Sequence, residues 1–333
     1  MKAETIHRLL EPTPTPDGFL FARDSENPID ADIIILDETS MVDVPLFARF
    51  LDAVDKETRL ILVGDTYQLP SVGPGNVLKD LINSGKVPTT ELTIIKRQDE
   101  GLIIRNCHRV KNGENIILMN SEKPDFFLLE RSSEEEIKNS IVELVSKRLA
   151  PAYEVRQLND IQVISPLREK TTLSCKELNK ALQLAMNKNK PVDKSIFRIG
   201  DKVIQVKNDY RLEIINGDIG YIKNIGRESK TIKVDFENPL RTVNVPLWGN
   251  DLELAYAVTC HKYQGSESKI IVIPIHPIFG PFIMQRNWIY TAISRASKVC
   301  ILVGDSKEVE KIIKRNNQQK RFTLLKDHLA NGN

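Results

Sequence analysis

The chain has 333 residues, which is long enough for two or three domains with cores of their own. Its 41% apolar and 28% charged residues exclude a disordered or low-complexity chain, and its net charge of +2 excludes a polybasic coat protein. No apolar segment is long enough to span a membrane and residues 1–20 contain no signal-peptide core, so we expect a cytoplasmic protein without a membrane partner. The four cysteines lack paired or metal-ligand spacing, so we expect reduced thiols and no zinc site.

The first predicted elements are a small hairpin and a strand that ends in two carboxylates. Residues 11–30 are rich in proline around a short apolar run, which predicts a turn-rich hairpin insertion. The run Ile33-Ile34-Ile35-Leu36 then ends in Asp37-Glu38, as a buried parallel strand does when it brings acidic groups to a site. Carboxylates at a strand end also occur as solvated loop residues or helix N-caps, and that alternative stays open on this run alone.

Two later apolar runs end in a similar way. Residues 60–63 lead into Gly64-Asp65-Thr66-Tyr67-Gln68-Leu69-Pro70, and residues 299–303 lead into Gly304-Asp305. Glycine and polar residues at strand ends can lie close to a ligand. Three such strands, separated by segments of helical length, predict an open parallel α/β sheet.

The pattern of apolar and turn residues changes near residue 197. The acidic stretch around residues 134–136 is typical of a solvated helix face. From 197 to 250, short apolar runs alternate with turn residues such as Asn216-Gly217, which predicts a small inserted antiparallel barrel. A further strand is expected at 270–273, and the lysine-rich end of the chain, residues 307–333, is expected to be a frayed helix or a polar tail.

Three further segments identify a family. They are Leu92-Thr93-Ile94-Ile95-Lys96-Arg97-Gln98, "LAYAVTCHKYQGSE" at 254–267 and Tyr290-Thr291-Ala292-Ile293-Ser294-Arg295-Ala296. Together with the segments at 37–38 and 64–70 they resemble, in order, the motifs of superfamily 1 helicases. "TIHRLL" at 5–10 and "FRIGDKVIQVKNDYRLEIINGDIG" at 197–220 resemble the RecD-like branch, the family of the exodeoxyribonuclease V alpha subunit, which moves 5′ to 3′ on single-stranded DNA.

The resemblance implies an α/β architecture of two RecA-like parallel-sheet domains with a hairpin insertion and an SH3-like antiparallel barrel. The nucleotide would lie in the cleft between the two domains. The implied boundaries are 1–120 for a partial first domain, 121–196 with 251–310 for the second, 197–250 for the barrel and 311–333 for the polar tail.

The same resemblance implies a nucleotide site for ATP and Mg²⁺. Asp37 would bind the metal ion, Glu38 would orient the attacking water and Gln68 would sense the γ-phosphate. Arg97 and Arg295 would reach the γ-phosphate, because a guanidinium can bond two phosphate oxygens at once. A structural salt bridge is the alternative for either arginine. The remaining nucleotide contacts would come from Gly265 and Glu267.

Single-stranded DNA is the implied partner, together with helicase–nuclease subunits or a missing N-terminal segment. The implied DNA-contacting residues are Thr5, His7, Asn208, Thr259, His261, Lys262 and Gln264. A helix-capping role for Thr5, a structural role for His261 and a strand-end role for Asn208 remain alternatives. Tyr67 and Tyr263 could either stack on bases or pack in the core.

One expected part has no match in the sequence. The family binds the β- and γ-phosphates with a loop of the form GxxxxGK[ST], and no segment of these 333 residues fits that pattern. We therefore expect either an N-terminally truncated helicase with little ATPase activity alone, or a chain that receives the loop from a separate polypeptide or swapped segment. The predicted function is an ATP-dependent 5′-to-3′ DNA helicase of repair or recombination. The alternative is a non-catalytic DNA-binding or regulatory module, and the sequence shows no acidic cluster of nuclease type.

Overall fold

The computed structural model describes residues 3–15, 18–92, 101–118, 124–192, 195–237, 239–316, 321 and 323–331. The chain forms two compact units, of which the first comprises Met1–Ile94 with Gln318–Asn333 and the second comprises Ile95–Asn317. In the described residues no helix combines the length and the apolar character that crossing a bilayer would require.

The helices and strands alternate in most of the chain. The helices are α1 (Ile6–Leu9), α2 (Val44–Asp52), α3 (Val77–Ser84), α4 (Leu102–Asn112), α5 (Glu134–Glu143), α6 (Leu149–Tyr153), α7 (Gln157–Asp160), α8 (Cys175–Met186), α9 (Arg286–Ile293), α10 (Ser306–Lys314) and α11 (Leu325–Asn331). Short 3-10 helices lie at Thr39–Met41, His261–Tyr263 and Pro277–Phe279, and a short π-helix lies at Leu144–Arg148. The strands are β1 (Pro12–Thr15), β2 (Gly18–Phe21), β3 (Ile33–Leu36), β4 (Arg59–Leu62), β5 (Phe126–Glu130), β6 (Ile161–Ser165), β7 (Lys202–Gln205), β8 (Ile219–Gly226), β9 (Thr231–Phe236), β10 (Arg241–Pro246), β11 (Leu252–Leu254), β12 (Ala257–Thr259), β13 (Ser268–Ile275) and β14 (Ala296–Gly304).

The first unit contains the hairpin β1–β2 and the parallel pair β3–β4. The expectation that residues 33–36 form a buried strand is only half right. Ile34 and Leu36 are buried in a core shared with Phe47 and Phe50 of α2, whereas Ile33 and Ile35 are about half exposed. Side chains alternate between the two faces of a strand, and the helices of the described part cover one face of this sheet.

Local signals in the sequence explain where the helices of this unit begin and end. Asp43 precedes α2 and accepts a hydrogen bond from the Leu46 backbone N–H at 2.8 Å, which caps the helix. Gly85 ends α3 with a φ of +66°, a left-handed conformation that glycine adopts without strain. These two helices set the position of the loops between them.

The second unit is built on a five-stranded parallel sheet in the order β12-β6-β13-β14-β5. All five residues of β6 are buried, as are seven of the eight in β13, because helices pack on the sheet. The three predicted apolar strands therefore lie in two sheets rather than one, since β14 belongs here and β3 and β4 belong to the first unit.

A five-stranded antiparallel sheet, in the order β10-β9-β8-β7-β11, interrupts the second unit. Its strands come from residues 202–254, where the sequence predicts an inserted antiparallel barrel. Ile214 forms only an isolated bridge with Asp209 rather than part of a strand. The predicted α/β architecture with a hairpin and an inserted antiparallel sheet is confirmed.

The lysine-rich end of the chain, expected to be a frayed helix or a polar tail, contains helical segments. In α10 the side chains of Val309, Ile312 and Ile313 are buried, because they recur on one face of the helix. Farther on, Leu325 and Leu329 of α11 pack against the apolar core of the first unit. Apolar residues at helical spacing within a lysine-rich segment account for both helices.

Candidate functional site

In the first unit, the two predicted acidic and glycine-rich segments lie side by side. Parallel pairing of β3 with β4 places Asp37 and Gly64 at the same edge of the sheet. The Thr39 backbone N–H donates to the Val63 carbonyl at 2.9 Å, which joins the two strand ends. A Cβ on Gly64 would lie 3.2 Å from the Thr39 nitrogen and 2.8 Å from Leu78 Cδ2, so glycine permits this close approach.

Glu38 has an unusual backbone conformation. Its φ of 50° and ψ of 39° lie in the left-handed region, which is rare for residues other than glycine and concentrates at functional sites. The Glu38 N–H donates to Asp37 Oδ1 at 2.7 Å, which fixes the orientation of the Asp37 carboxylate. Asp37 is exposed. An exposed strand-end carboxylate suits Mg²⁺, which commonly takes one or two protein carboxylates and completes its shell with phosphate oxygens and water.

Gln68 lies in the turn that follows β4. Its backbone N–H donates to the Asp65 carbonyl at 3.3 Å, and the Asp65 carboxylate accepts from the Tyr67 N–H at 2.9 Å. This turn therefore has local hydrogen bonds that hold Gln68 near the edge carrying Glu38. Tyr67 is 42% exposed, so a stacking role for its ring stays a prediction.

Thr5 and His7 lie at the start of the first unit. The Thr5 hydroxyl accepts a hydrogen bond from the Arg8 N–H at 3.3 Å and caps α1, which is the structural alternative to a DNA contact. The His7 ring lies 6.0 Å from the Phe21 ring of the hairpin. Partial burial lowers the pKa of His7, which favours its neutral form. DNA contacts by both residues stay predictions.

In the second unit, the structure brings Arg295 together with the segment of Gly265 and Glu267. The Ser268 N–H donates to the Arg295 carbonyl at 3.0 Å. The Arg295 guanidinium is buried, and its contacts include three of 3.3–3.5 Å with neutral oxygens. Gly265 takes a left-handed φ of +75°, as the turn after residues 261–263 requires.

A second group in this unit contains predicted DNA contacts. Thr259 ends β12, and Lys262 lies in the helical turn just beyond it. The loop 206–218 approaches from the antiparallel sheet, since a Cβ on Gly217 would lie 3.9 Å from the Lys262 carbonyl oxygen. Asn208 orders that loop by accepting from the Asn216 N–H and donating to the Tyr210 hydroxyl, both at 2.9 Å. These contacts of Asn208 lie within the loop that follows β7, and both its strand-end role and its DNA contact stay predictions.

The remaining predicted residues fall into three cases. Tyr263 is buried, and its hydroxyl donates a hydrogen bond to the Glu267 carbonyl at 3.1 Å. Of the two roles predicted for Tyr263, the structure therefore shows packing in the core. His261 is exposed and Gln264 is half-buried, next to Lys262. Arg97 lies outside the described residues.

A cavity of about 430 Å³ adjoins Thr259 and Lys262 and includes residues that the sequence analysis missed. The cationic side chains that line it are Arg168, Lys176, Lys180, Arg198 and Lys262. Arg168 and Lys262 both pair with Glu253, so part of the positive charge is neutralised. Arg168 and Lys176 follow the carboxyl end of β6, and that strand-end position is the signal that could have identified them.

Three family models match successive parts of the chain. An AAA domain matches residues 1–125, and an ATP-dependent RecD-like DNA helicase SH3 domain matches residues 178–236. A UvrD-like helicase C-terminal domain matches residues 254–303. In these three successive parts the chain is similar to RecD-like DNA helicases. The antiparallel sheet is accordingly the SH3-like domain of this RecD-like chain.

Curated relatives support the same assignment over most of the sequence. The chain is 31% identical over 331 residues to the ATP-dependent RecD2 DNA helicase of Deinococcus radiodurans, covering 97% of this chain and 43% of that protein. It is 26% identical over 370 residues to the RecBCD enzyme subunit RecD of Haemophilus influenzae, covering 92% of this chain and 56% of that protein. The RecD-like chain thus spans about half the length of these curated relatives.

Solved structures resemble the chain in fold. A Pif1 helicase from Bacteroides, in complex with ADP-AlF3 and single-stranded DNA, matches with a TM-score of 0.51 and 20% identity. The match covers 89% of this chain and 78% of that chain. At this identity the likeness concerns the fold, and it agrees with the predicted helicase architecture of the RecD-like chain.

Proposed function

We propose that this chain acts as the motor part of an ATP-dependent helicase that moves 5′ to 3′ along single-stranded DNA in repair or recombination. The observation that carries the proposal is the shared edge of β3 and β4. There Asp37, the strained Glu38 and the turn of Gln68 lie together. A carboxylate pair beside a polar amide suits the hydrolysis of a nucleoside triphosphate.

Each of these side chains has a proposed role. Asp37 would hold Mg²⁺, which when bound neutralises charge on the phosphate oxygens. Glu38 accepts a proton from, or orients, the attacking water. Gln68 hydrogen-bonds near the γ-phosphate position. Arg295, Gly265 and Glu267 contribute further contacts to ATP, and Arg97 is proposed as a second arginine from its motif alone.

The DNA-binding part of the proposal rests on the group formed by Thr259, Lys262 and Asn208. A hydroxyl, an ammonium and an amide can all bond phosphate oxygens without reading base sequence, which suits a motor that moves along any strand. His261, Gln264, Thr5 and His7 are proposed as additional contacts. By analogy with the RecBCD subunit among its relatives, helicase–nuclease subunits are proposed partners.

DNA binding is tested with a fluorescent oligothymidylate in a salt series. Neutralising phosphates releases counterions, so the logarithm of the affinity should fall linearly with the logarithm of salt concentration. Lys262→Ala should weaken binding and make the slope shallower by about 1. Lys147→Ala, at an exposed position on the turn Leu144–Arg148, is the matched control and should change neither. An affinity that does not respond to salt would refute the DNA-binding assignment.

A second candidate function is a DNA-binding or regulatory module without ATP turnover. The observation that favours it is the cationic lining of the cavity beside Thr259 and Lys262, which lies in the second unit and includes none of the proposed nucleotide-binding residues. Retained DNA binding together with no detectable ATP hydrolysis would support this candidate over the motor.

A further inference from the structure

The C-terminal segment, defined as residue 321 and residues 323–331, bonds directly to the loop that follows Gln68. One guanidinium, that of Arg321, donates to four oxygens of the loop 71–75. Nη1 lies 3.0 Å from Ser71 Oγ, 2.8 Å from the Gly73 carbonyl and 2.7 Å from the Gly75 carbonyl. Nη2 lies 2.7 Å from the Ser71 carbonyl. All of these residues belong to the first unit.

Four oxygens of the loop 71–75 face the Arg321 guanidinium. Three carbonyls and a hydroxyl converge on one cation, and without it the repulsion among the carbonyls would be offset only by the Ser71 hydroxyl, which lies 3.1 Å from the Gly73 carbonyl and 3.5 Å from the Gly75 carbonyl. Ser71 is only 4% exposed, so water cannot easily replace Arg321 there. A guanidinium is suited to the task because its donors lie in a rigid plane and can serve several acceptors at once.

The other side of the loop is held by the start of α2. The Val44 N–H donates to the Pro74 carbonyl at 3.0 Å. A Cβ on Gly73 would lie 1.9 Å from Asp43 Oδ2, and one on Gly75 would lie 2.3 Å from Val44 Cγ2. The loop therefore lies tightly between α2 and Arg321, and it begins three residues after Gln68.

Further contacts fix the C-terminal segment on α3. Helix α11 packs on α3, and Leu325 and Leu329 pack against the apolar core of this unit. Burial raises the pKa of Asp80, and the nearby Thr323 side chain opposes that shift. Arg321 is thus the polar end of a segment whose helix α11 packs against the first unit.

We propose that Arg321 is a positioning residue for Gln68: it fixes the loop 71–75 and thereby the backbone that carries Gln68. This inference rests on the proposed ATPase function, in which Gln68 lies near the γ-phosphate. Arg321 itself touches neither nucleotide nor DNA in this account.

Hydrogen–deuterium exchange on the full chain tests the contact independently of turnover. Arg321→Ala should speed exchange in peptides covering 64–70 and 71–84 by about tenfold or more, since charge-assisted hydrogen bonds to buried oxygens are lost. Arg321→Lys should restore part of the protection, because an ammonium can bond some of the oxygens but lacks the planar fork. Peptides of the second unit should be unchanged. His328→Ala, on the exposed side of the same segment, is the control and should match the wild type.

ATP hydrolysis supplies the functional readout. Arg321→Ala should lower kcat about tenfold and leave the KM for ATP within about twofold, as expected when a group acts only on the transition state. Unchanged exchange at 64–70 would overturn the proposal, and so would uniform loss of protection across the whole first unit without rescue by lysine. ATP turnover that Glu38→Gln leaves unchanged would refute the proposed function instead, and exchange at 64–70 would then decide whether Arg321 orders the Gln68 turn.

Discussion

A buried lysine at the start of the antiparallel sheet makes the stability of the second unit depend on pH. Lys202 is 3% exposed, and its ammonium donates to Gln162 Oε1 at 2.9 Å. Burial lowers its pKa from 10.5 to about 8, although the negative charges of Glu237 and Asp160 oppose the shift. The folded protein therefore releases this proton more readily than the unfolded chain does.

The sign and size of the effect follow from proton linkage. Between pH 8 and 10.5 the unfolded chain binds more protons at this position, so the free energy of unfolding should rise with pH. The shift corresponds to about 3 kcal/mol over that whole window and about 1 kcal/mol between pH 7.5 and 9. In Lys202→Met this increase should disappear, because methionine fills similar space without a charge.

Urea unfolding followed by tryptophan fluorescence measures this directly. Both tryptophans, Trp248 and Trp288, belong to the second unit, and Trp288 is buried. Burial raises the pKa of Cys175 and of Cys260 to about 12, which lowers stability above pH 9. That contribution is common to both proteins and cancels in their difference. If wild type and Lys202→Met show the same pH dependence, the burial argument for Lys202 is refuted.

Two further substitutions separate structural from catalytic roles in the second unit. Asp201→Ala should lower the free energy of unfolding by about 3 kcal/mol, because Gln183, Asn187 and Tyr256 would each lose a buried acceptor. The same urea assay checks this, and a change below about 1 kcal/mol would contradict the importance of this network. Arg295→Lys should cost about 10³-fold in ATP turnover, because an ammonium cannot bond two phosphate oxygens at once as a guanidinium does. A destabilised variant that keeps its turnover would show that Arg295 is structural.

Much of the site could be predicted because it lies at strand ends. An apolar run followed by Asp37-Glu38, and another followed by Gly64, identify two carboxyl ends that parallel pairing then brings together. The exposed face of β3 could not be predicted, because a run of four apolar residues looks the same whether one face or both are covered.

Long-range contacts explain what the sequence did not predict. Arg321 is a single arginine in a polar segment, and its partners lie some 250 positions earlier in the chain. The Asp201 network likewise joins three elements through isolated polar residues. No periodic pattern marks such contacts, since each depends on the tertiary approach of one side chain.

The measurement that tests the central claim most directly is ATP hydrolysis by the chain with and without single-stranded DNA, beside Glu38→Gln. The substitution keeps the shape of the side chain but removes its capacity to accept a proton. The motor account predicts turnover, slow where the chain acts alone, that DNA stimulates and that Glu38→Gln abolishes. Turnover that DNA does not stimulate, or that is unchanged in Glu38→Gln, would contradict it.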